Sequence, residues 1–273
     1  MVASLSDIGF EGFEETEEKL IAFIPSQKFS ESDFSIFISQ ASEIFPLTFL
    51  KKEIQEENWN ETWEKNFQPI IIGKDIGVRA SFHHSFPDVK YEIVIDPKMS
   101  FGTGHHATTA MMMQLMLTED LAEKSVLDFG CGTGILAILA AKLGATQVTA
   151  IDNDLWAIEN ATENVLVNHS NNTEVVQGEI QHLGSRKFDI ILANISRDVI
   201  IESAEQMAAC LSNDGTLIIS GFLIEDKQKI LPVLKNRGLE VKRDMDNDEW
   251  MAISLKKNVS GKWVYNYWFH HRF

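Results

Sequence analysis

Two cysteines in 273 residues, Cys131 and Cys210, leave no disulfide framework and no zinc-type ligand spacing. The sequence contains no run of about 18 apolar residues that could cross a membrane as a helix. It also lacks the charged start, apolar stretch and small-residue cleavage site of a signal peptide. These absences predict a cytoplasmic chain with no membrane contact. Positive charge is scarce too: 24 Lys and Arg stand against 40 Asp and Glu, a formal net charge of −16. The largest basic concentrations are the pairs Lys51-Lys52 and Lys256-Lys257, so direct nucleic-acid binding is not expected. Such an acidic surface would steer a basic protein toward it. What the chain does have is core-forming material. Its 44% apolar content and length suit one large α/β domain plus a smaller module.

The densest chemistry lies between Val126 and Asp152. A short apolar strand, Ser125 to Phe129, leads into Gly130-Cys131-Gly132-Thr133-Gly134, an apolar helix follows over 134–143, and strand 147–151 ends at Asp152. Alternate glycines permit tight turns and close backbone approach by a ligand. The helix N-terminus would face that ligand with its positive end, and Asp152 would accept both ribose hydroxyls. The segment reads as a nucleoside-binding apparatus with bare amides in its loop.

Two cofactor classes use this layout. From Gly132, the run Gly132-Thr-Gly134-Ile-Leu-Ala137 fits the permissive dinucleotide fingerprint, with Asp152 at the expected distance of roughly 20 residues, so NAD stays open on spacing. From Asp128, the run is D-x-G-x-G-x-G, the pattern of class I methyltransferases, which bind S-adenosylmethionine (SAM). SAM has no pyrophosphate, so the Asp128 carboxylate is tolerable beside it and could hold the methionyl ammonium through an amide or water. A dinucleotide phosphate would be repelled.

Periodicity predicts strands at 125–129, 147–151, 173–177, 188–193, 215–220, 239–243 and 250–255, with helices at 134–143, 154–168, 198–211 and 225–237. Asp154 is the expected N-cap, Asn213-Asp-Gly215 a turn, and Gly238 a helix stop. The polar stretch Asp244 to Glu249 makes the last two strands an antiparallel hairpin, the usual finish of a class I methyltransferase sheet. Ahead of this α/β domain, residues 8–14 and 19–24, a helix at 31–44 and a strand at 47–54 suggest a small α+β module. Trp59, Trp63 and Phe67 form a stripe at helical spacing that would pack a connecting helix on the larger domain. The expected domains are 1–55, a linker and lead-in over 56–95, a SAM-binding domain over 96–257, and an aromatic tail over 258–273.

Asp96-Pro-Lys-Met-Ser-Phe-Gly-Thr-Gly-His-His-Ala-Thr-Thr109 is a shaped loop leading into a helix from Ala110 to Leu117, with Thr108 or Thr109 at its start. His105 and His106 are adjacent, not at the i, i+4 spacing of paired zinc ligands, so no metal site is expected.

Four blocks, Asp96 to Thr109, Val126 to Gly134, Ile151-Asp152 and Leu192-Ala193-Asn194-Ile195, agree in order and spacing with the PrmA family, methyltransferases of large-subunit ribosomal protein L-eleven (L11). The linker block Trp63-Glu-Lys-Asn-Phe-Gln-Pro69 is also similar, so the resemblance covers about residues 8 to 256. It implies a substrate-recognition module, a linker and a SAM-binding domain, with SAM contacts at Thr109, Gly130, Asp152 and Asn194; Gly132 of the same loop is read as a further cofactor-binding residue. The substrate it implies is L11, methylated repeatedly on lysine side-chain amines and on the N-terminal amine by an enzyme expected to be monomeric. The chain departs from the family pattern at His105 and Ala107, which loosens the loop before Thr108. Its N-terminal module is short, and its tail Lys262 to Phe273 is unlike the family. Methyl transfer from a sulfonium needs little acid–base machinery, so no catalytic residue is assigned. Asn194 can offer its amide oxygen to orient an amine, with His106 as a second candidate. Ile195-Ser196 after Asn194, in place of Asn-Pro-Pro-aromatic, disfavours amide and nucleobase targets.

Overall fold

The computed structural model describes residues 1–15, 19–44, 46–52, 67–96, 98 and 100–258. The chain divides into two compact units, Met1–Lys65 and Asn66–Phe273. Trp59, Trp63 and the tail from Lys262 lie outside the described residues.

In the first unit, α1 (Val2–Asp7) precedes an antiparallel hairpin of β1 (Gly12–Glu15) and β2 (Leu20–Phe23), followed by α2 (Glu31–Ile44). Phe34 on α2 is its aromatic centre, with Phe10, Phe29 and Phe49 rings 6.1, 5.7 and 5.3 Å away. The N-terminal helix has no side-chain cap and was not legible as a helix. The strand expected over 47–54 does not form in its described part, residues 47–52. β-propensity there meets no partner edge, and Leu50 is left 93% exposed.

The second unit opens with a small sheet, β3 (Ile70–Ile72), β4 (Ile76–Arg79) and β5 (Tyr91–Val94), in which β4 runs antiparallel to β3 and parallel to β5. Then come α3 (Ala107–Met116), β6 (Ser125–Phe129), α4 (Ile135–Lys142), β7 (Gln147–Asp152), α5 (Leu155–Val167), β8 (Thr173–Gln177) and β9 (Phe188–Asn194). The chain finishes with α6 (Arg197–Glu202), α7 (Ala204–Cys210), β10 (Leu211–Leu223), α8 (Lys227–Lys235), β11 (Leu239–Asn247) and β12 (Trp250–Lys257). The main sheet has the order β11-β12-β10-β9-β6-β7-β8. β6 to β10 are parallel where they pair, and β12 is antiparallel to both its neighbours, as the hairpin predicts. This is the α/β class I methyltransferase sheet.

Side-chain alternation along each strand produces two cores. Val126, Ile190, Leu192, Ile218 and Ala252 face α3, α4 and α5, whereas Leu127, Ile191, Ala193, Ile219 and Ile253 face α6, α7 and α8. Three local readings are corrected. The helix expected over 198–211 is two helices meeting at Ser203, whose φ of −91° and ψ of 3° leave the α region with no Pro or Gly to signal it. Asn213-Asp-Gly215 is a bulge inside β10, because Leu211 already pairs with Phe188 before Thr216 pairs with Ile190. The final turn is shorter than Asp244 to Glu249: residues through Asn247 pair with β12, and Asp248, at φ 53°, makes the reversal.

Candidate active site

The sheet order reverses between β6 and β9: the chain goes outward through β7 and β8, then returns to build β9 and β10 on the other side. A crevice forms at the carboxyl ends of strands around such a switch point. A cleft of about 860 Å³ lies there, and Thr109, Gly130, Gly132, Asp152 and Asn194 all line it. Sequence positions up to 85 residues apart are thus brought to one place.

The glycine loop is not a row of bare amides. Gly130 and Cys131 both donate to the Ile151 carbonyl, at 2.9 and 3.1 Å; Thr133 donates to the Phe101 carbonyl at 2.9 Å and Gly134 to Cys131 at 2.8 Å. Gly132 donates to Asp152 Oδ2 at 2.9 Å. Every N–H from Gly130 to Gly134 therefore has a partner inside the protein. The glycines serve protein packing as well: at φ +52°, a Cβ on Gly132 would sit 2.2 Å from the Phe101 carbonyl oxygen.

Asp128 lies behind this loop, 1% exposed, and does not line the cleft. Its Oδ2 accepts from Ala137 N–H in the first turn of α4 at 3.0 Å, and its Oδ1 is buried with no partner. Burial pushes the Asp128 carboxyl up to about 7, the Asp152 charge adds to this, and the Ala137 hydrogen bond opposes it. The positive end of α4 thus already has a carboxyl group against it. A phosphate at this helix would find loop donors occupied and an acid in competition.

Asp152 stands at the end of β7 with one protein donor on each oxygen: Gly132 N–H on Oδ2 and Asp154 N–H on Oδ1, the latter at 3.0 Å. A carboxylate has about four acceptor positions, so both oxygens keep capacity for a vicinal diol. Across the cleft, Asn194 Nδ2 donates to Thr109 Oγ1 at 3.2 Å, while Asn194 Oδ1 is buried without a partner.

A ladder of asparagines along α5 and its C-cap sets the loop against the preceding segment. Asn160, Asn164 and Asn168 recur every four residues on one helix face and are buried. Asn168 accepts from Val94 N–H at 3.0 Å and donates to the Val94 carbonyl; Asn164 accepts from Asp96 N–H at 3.1 Å and donates to the Thr133 carbonyl at 2.9 Å. Asn160 donates to the Asp96 carbonyl at 2.9 Å.

His105 does not loosen its loop. Its Nε2 lies 2.8 Å from the Gln68 carbonyl and its Nδ1 3.1 Å from Thr103 Oγ1, while its ring meets Phe67 edge-on. His106 is the N-cap of α3, its Nδ1 accepting from Thr108 N–H at 3.3 Å, so the helix starts three residues earlier than expected, at Ala107. Among the described residues, no cluster of His, Cys, Asp and Glu could hold a metal ion, and no helix is long and apolar enough to cross a membrane.

Comparison with known proteins gives the same frame. Residues 10–258 match the family model described as "Ribosomal protein L11 methyltransferase (PrmA)". The chain belongs to the PrmA family. It is 44% identical to the ribosomal protein L11 methyltransferase of Porphyromonas gingivalis, over 92% of this chain and 88% of that protein. It is 41% identical to the one from Phocaeicola vulgatus, over 93% of this chain and 91% of that protein. The solved structure of the ribosomal protein L11 methylase from Lactobacillus delbrueckii subsp. bulgaricus is similar with a TM-score of 0.65 and 27% identity, covering 70% of this chain and all of that one.

In this PrmA chain several cleft residues carry no motif. Gly178 and Glu179 follow β8 at the Asp152 end, Trp250 pairs with Leu223 of β10 on the Asn194 side, and Phe101 borders the glycine loop through Thr133. Gly178 at a strand end was the available signal for the first pair. Trp250 opens a strand that reads only as core, and its place at the cleft follows from β12 running antiparallel beside β10.

Proposed function

We propose that this chain transfers methyl groups from SAM to amines of ribosomal protein L11, on lysine side chains and at the N-terminus. The observation that carries the cofactor is the saturated glycine loop: all five loop amides are engaged within the protein and the Ala137 amide of α4 is held by Asp128, which suits a ligand with a ribose diol and no phosphate. Family membership supports the methyl transfer and the substrate. Thr109, Gly130, Gly132, Asp152 and Asn194 are assigned to the cofactor, with Asp152 at the ribose. When bound, SAM supplies an activated methyl group on a positively charged sulfur. A lysine amine, with an ordinary pKa of roughly 10.4, must arrive neutral, and desolvation in the cleft favours that form. Asn194 is held by Thr109 and its buried carbonyl oxygen has no protein partner; turned toward the cleft, that oxygen would accept an N–H of the amine.

We further read the enzyme as a cytoplasmic monomer acting on protein rather than nucleic acid, with residues 1–55 as recognition module, 56–95 as linker and lead-in, and 96–257 as catalytic domain. The net charge of −16 supports a basic protein partner. The test is the intact mass of purified L11 after incubation with enzyme and SAM, beside an Asp152→Ala control. A ladder of methyl additions that vanishes in the control is expected. SAM binding without any addition to L11 would overturn the substrate.

A further inference from the structure

The cleft has two chemically different halves, and strand order separates them. Asp152, Gly178 and Glu179 belong to the ends of β7 and β8, on one side of β6; Asn194 and Gly221 belong to β9 and β10, on the other. Trp250, the first residue of β12, pairs with Leu223 of β10 and so joins the Asn194 side. If the nucleoside lies at Asp152, the amine meets the methyl group in the Asn194 half.

From that half a row of three aromatic rings runs back toward the glycine loop, where the Phe101 backbone is anchored on Thr133. His106 and Trp250 meet edge-on with centroids 4.8 Å apart, and His106 and Phe101 meet in the same way at 5.4 Å. All three residues line the cleft. Phe101 is unusual in being pinned and exposed at once. Its carbonyl accepts from Thr133 N–H, the neighbouring Gly102 carbonyl accepts from the Thr133 hydroxyl, and yet the residue is 56% exposed. A phenylalanine more than half exposed on a fixed backbone forfeits burial free energy, and its place in the lining of a cleft points to an occupant.

The chemistry of the occupant follows from what methylation changes. At each transfer the nitrogen lone pair forms an N–methyl bond as the S–methyl bond breaks. That bond's electron pair stays on sulfur as a neutral thioether; an ammonium that is to react first gives a proton to water, and the trimethyl product keeps its charge. Each round replaces a hydrogen-bond donor with a methyl group, so the protonated product is bulkier, more weakly hydrated and better matched to aromatic faces, which attract cations electrostatically. A primary ammonium, with three donors to satisfy, gains least from such a surface.

We propose that Phe101, His106 and Trp250 form an aromatic wall that retains the partly methylated amine between transfers, making mono- and dimethylamines better substrates than the primary amine. This rests on the reading that the chain methylates protein amines. The test follows the mono-, di- and trimethyl forms of L11 over time by intact mass, for wild type, Trp250→Leu, Trp250→Phe and Phe101→Leu, with thermal melts on each. In Trp250→Leu the ratio of the third transfer rate to the first is expected to fall about tenfold, in line with a desolvated cation–π contact. Intermediate forms then accumulate, and Trp250→Phe restores much of the ratio. Phe101→Leu, at an exposed ring, gives the same direction should Trp250→Leu fold poorly. A uniform slowing of all steps, or an unchanged distribution in folded variants, would overturn the wall. No addition to L11 by the wild type would instead overturn the reading on which it rests, and the wall with it.

Discussion

Gly132 and Asp152, 20 residues apart in sequence, are joined by a 2.9 Å hydrogen bond from the loop amide to the carboxylate. The same side chain therefore fixes the loop and faces the cleft. Asp152→Asn retains an oxygen for Gly132 but loses the charge, whereas Asp152→Ala loses both. We expect SAM affinity to fall by about 10-fold in the first and about 100-fold in the second, from the strength of charge-assisted hydrogen bonds. Isothermal titration would measure this; equal losses would show that the loop contact is immaterial.

Thr109, itself buried, holds Asn194 through a side-chain hydrogen bond. Thr109→Val keeps the shape and removes the acceptor, leaving Asn194 Nδ2 unpaired at a cost of about 1–3 kcal/mol. The expected result is a kcat/KM for methyl transfer lowered by about 10- to 100-fold, with Thr109→Ser close to wild type. Activity in the valine variant equal to that of the serine variant would remove the hydrogen bond from the account.

Asp128 gives the folded state a pH dependence of a definite sign. Its folded pKa, about 7, lies above the unfolded value of 3.8, so between those pH values the folded state holds more protons and stability falls as pH rises. Asp128→Asn keeps the acceptor for Ala137 and removes the ionisation. Melting temperatures of the free protein between pH 5 and pH 8 should decline less in the variant, with the gap widest above about pH 7. Parallel profiles would mean that Asp128 ionises freely in its buried place.

Asn164 pairs with two backbone groups, Asp96 N–H and the Thr133 carbonyl. Asn164→Ala leaves both unpaired and should lower unfolding free energy by about 2–4 kcal/mol, read from urea denaturation. Because Thr133 is in the glycine loop, SAM affinity should weaken in the same variant. A destabilised protein with unchanged affinity would confine the ladder to folding.

Where a feature is local in the chain, the sequence was a good guide: the glycine loop, the acid ending β7 and the antiparallel finish of the sheet all depend on near neighbours. It failed where the deciding partner is distant. Asn213 to Gly215 look like a turn until Leu211 is seen paired with Phe188 of another strand. Residues 47–52 have strand composition and no strand beside them. The strands β3, β4 and β5 are only three or four residues long, too short for alternation to show. The cleft was half legible for the same reason. Thr109, Gly130, Gly132, Asp152 and Asn194 sit in recognisable blocks, but Trp250 reaches the cleft only through strand order, and the asparagine ladder binds backbone that no pattern in α5 announces.

The saturated loop also bears on turnover. Since the N–H groups from Gly130 to Gly134 are bonded within the chain, departure of the spent cofactor strips no loop donor of its partner, and arrival of a fresh one displaces none. Exchange at this end of the cleft then requires no rearrangement of the loop's own hydrogen bonds, so the cradle is the same before and after each round.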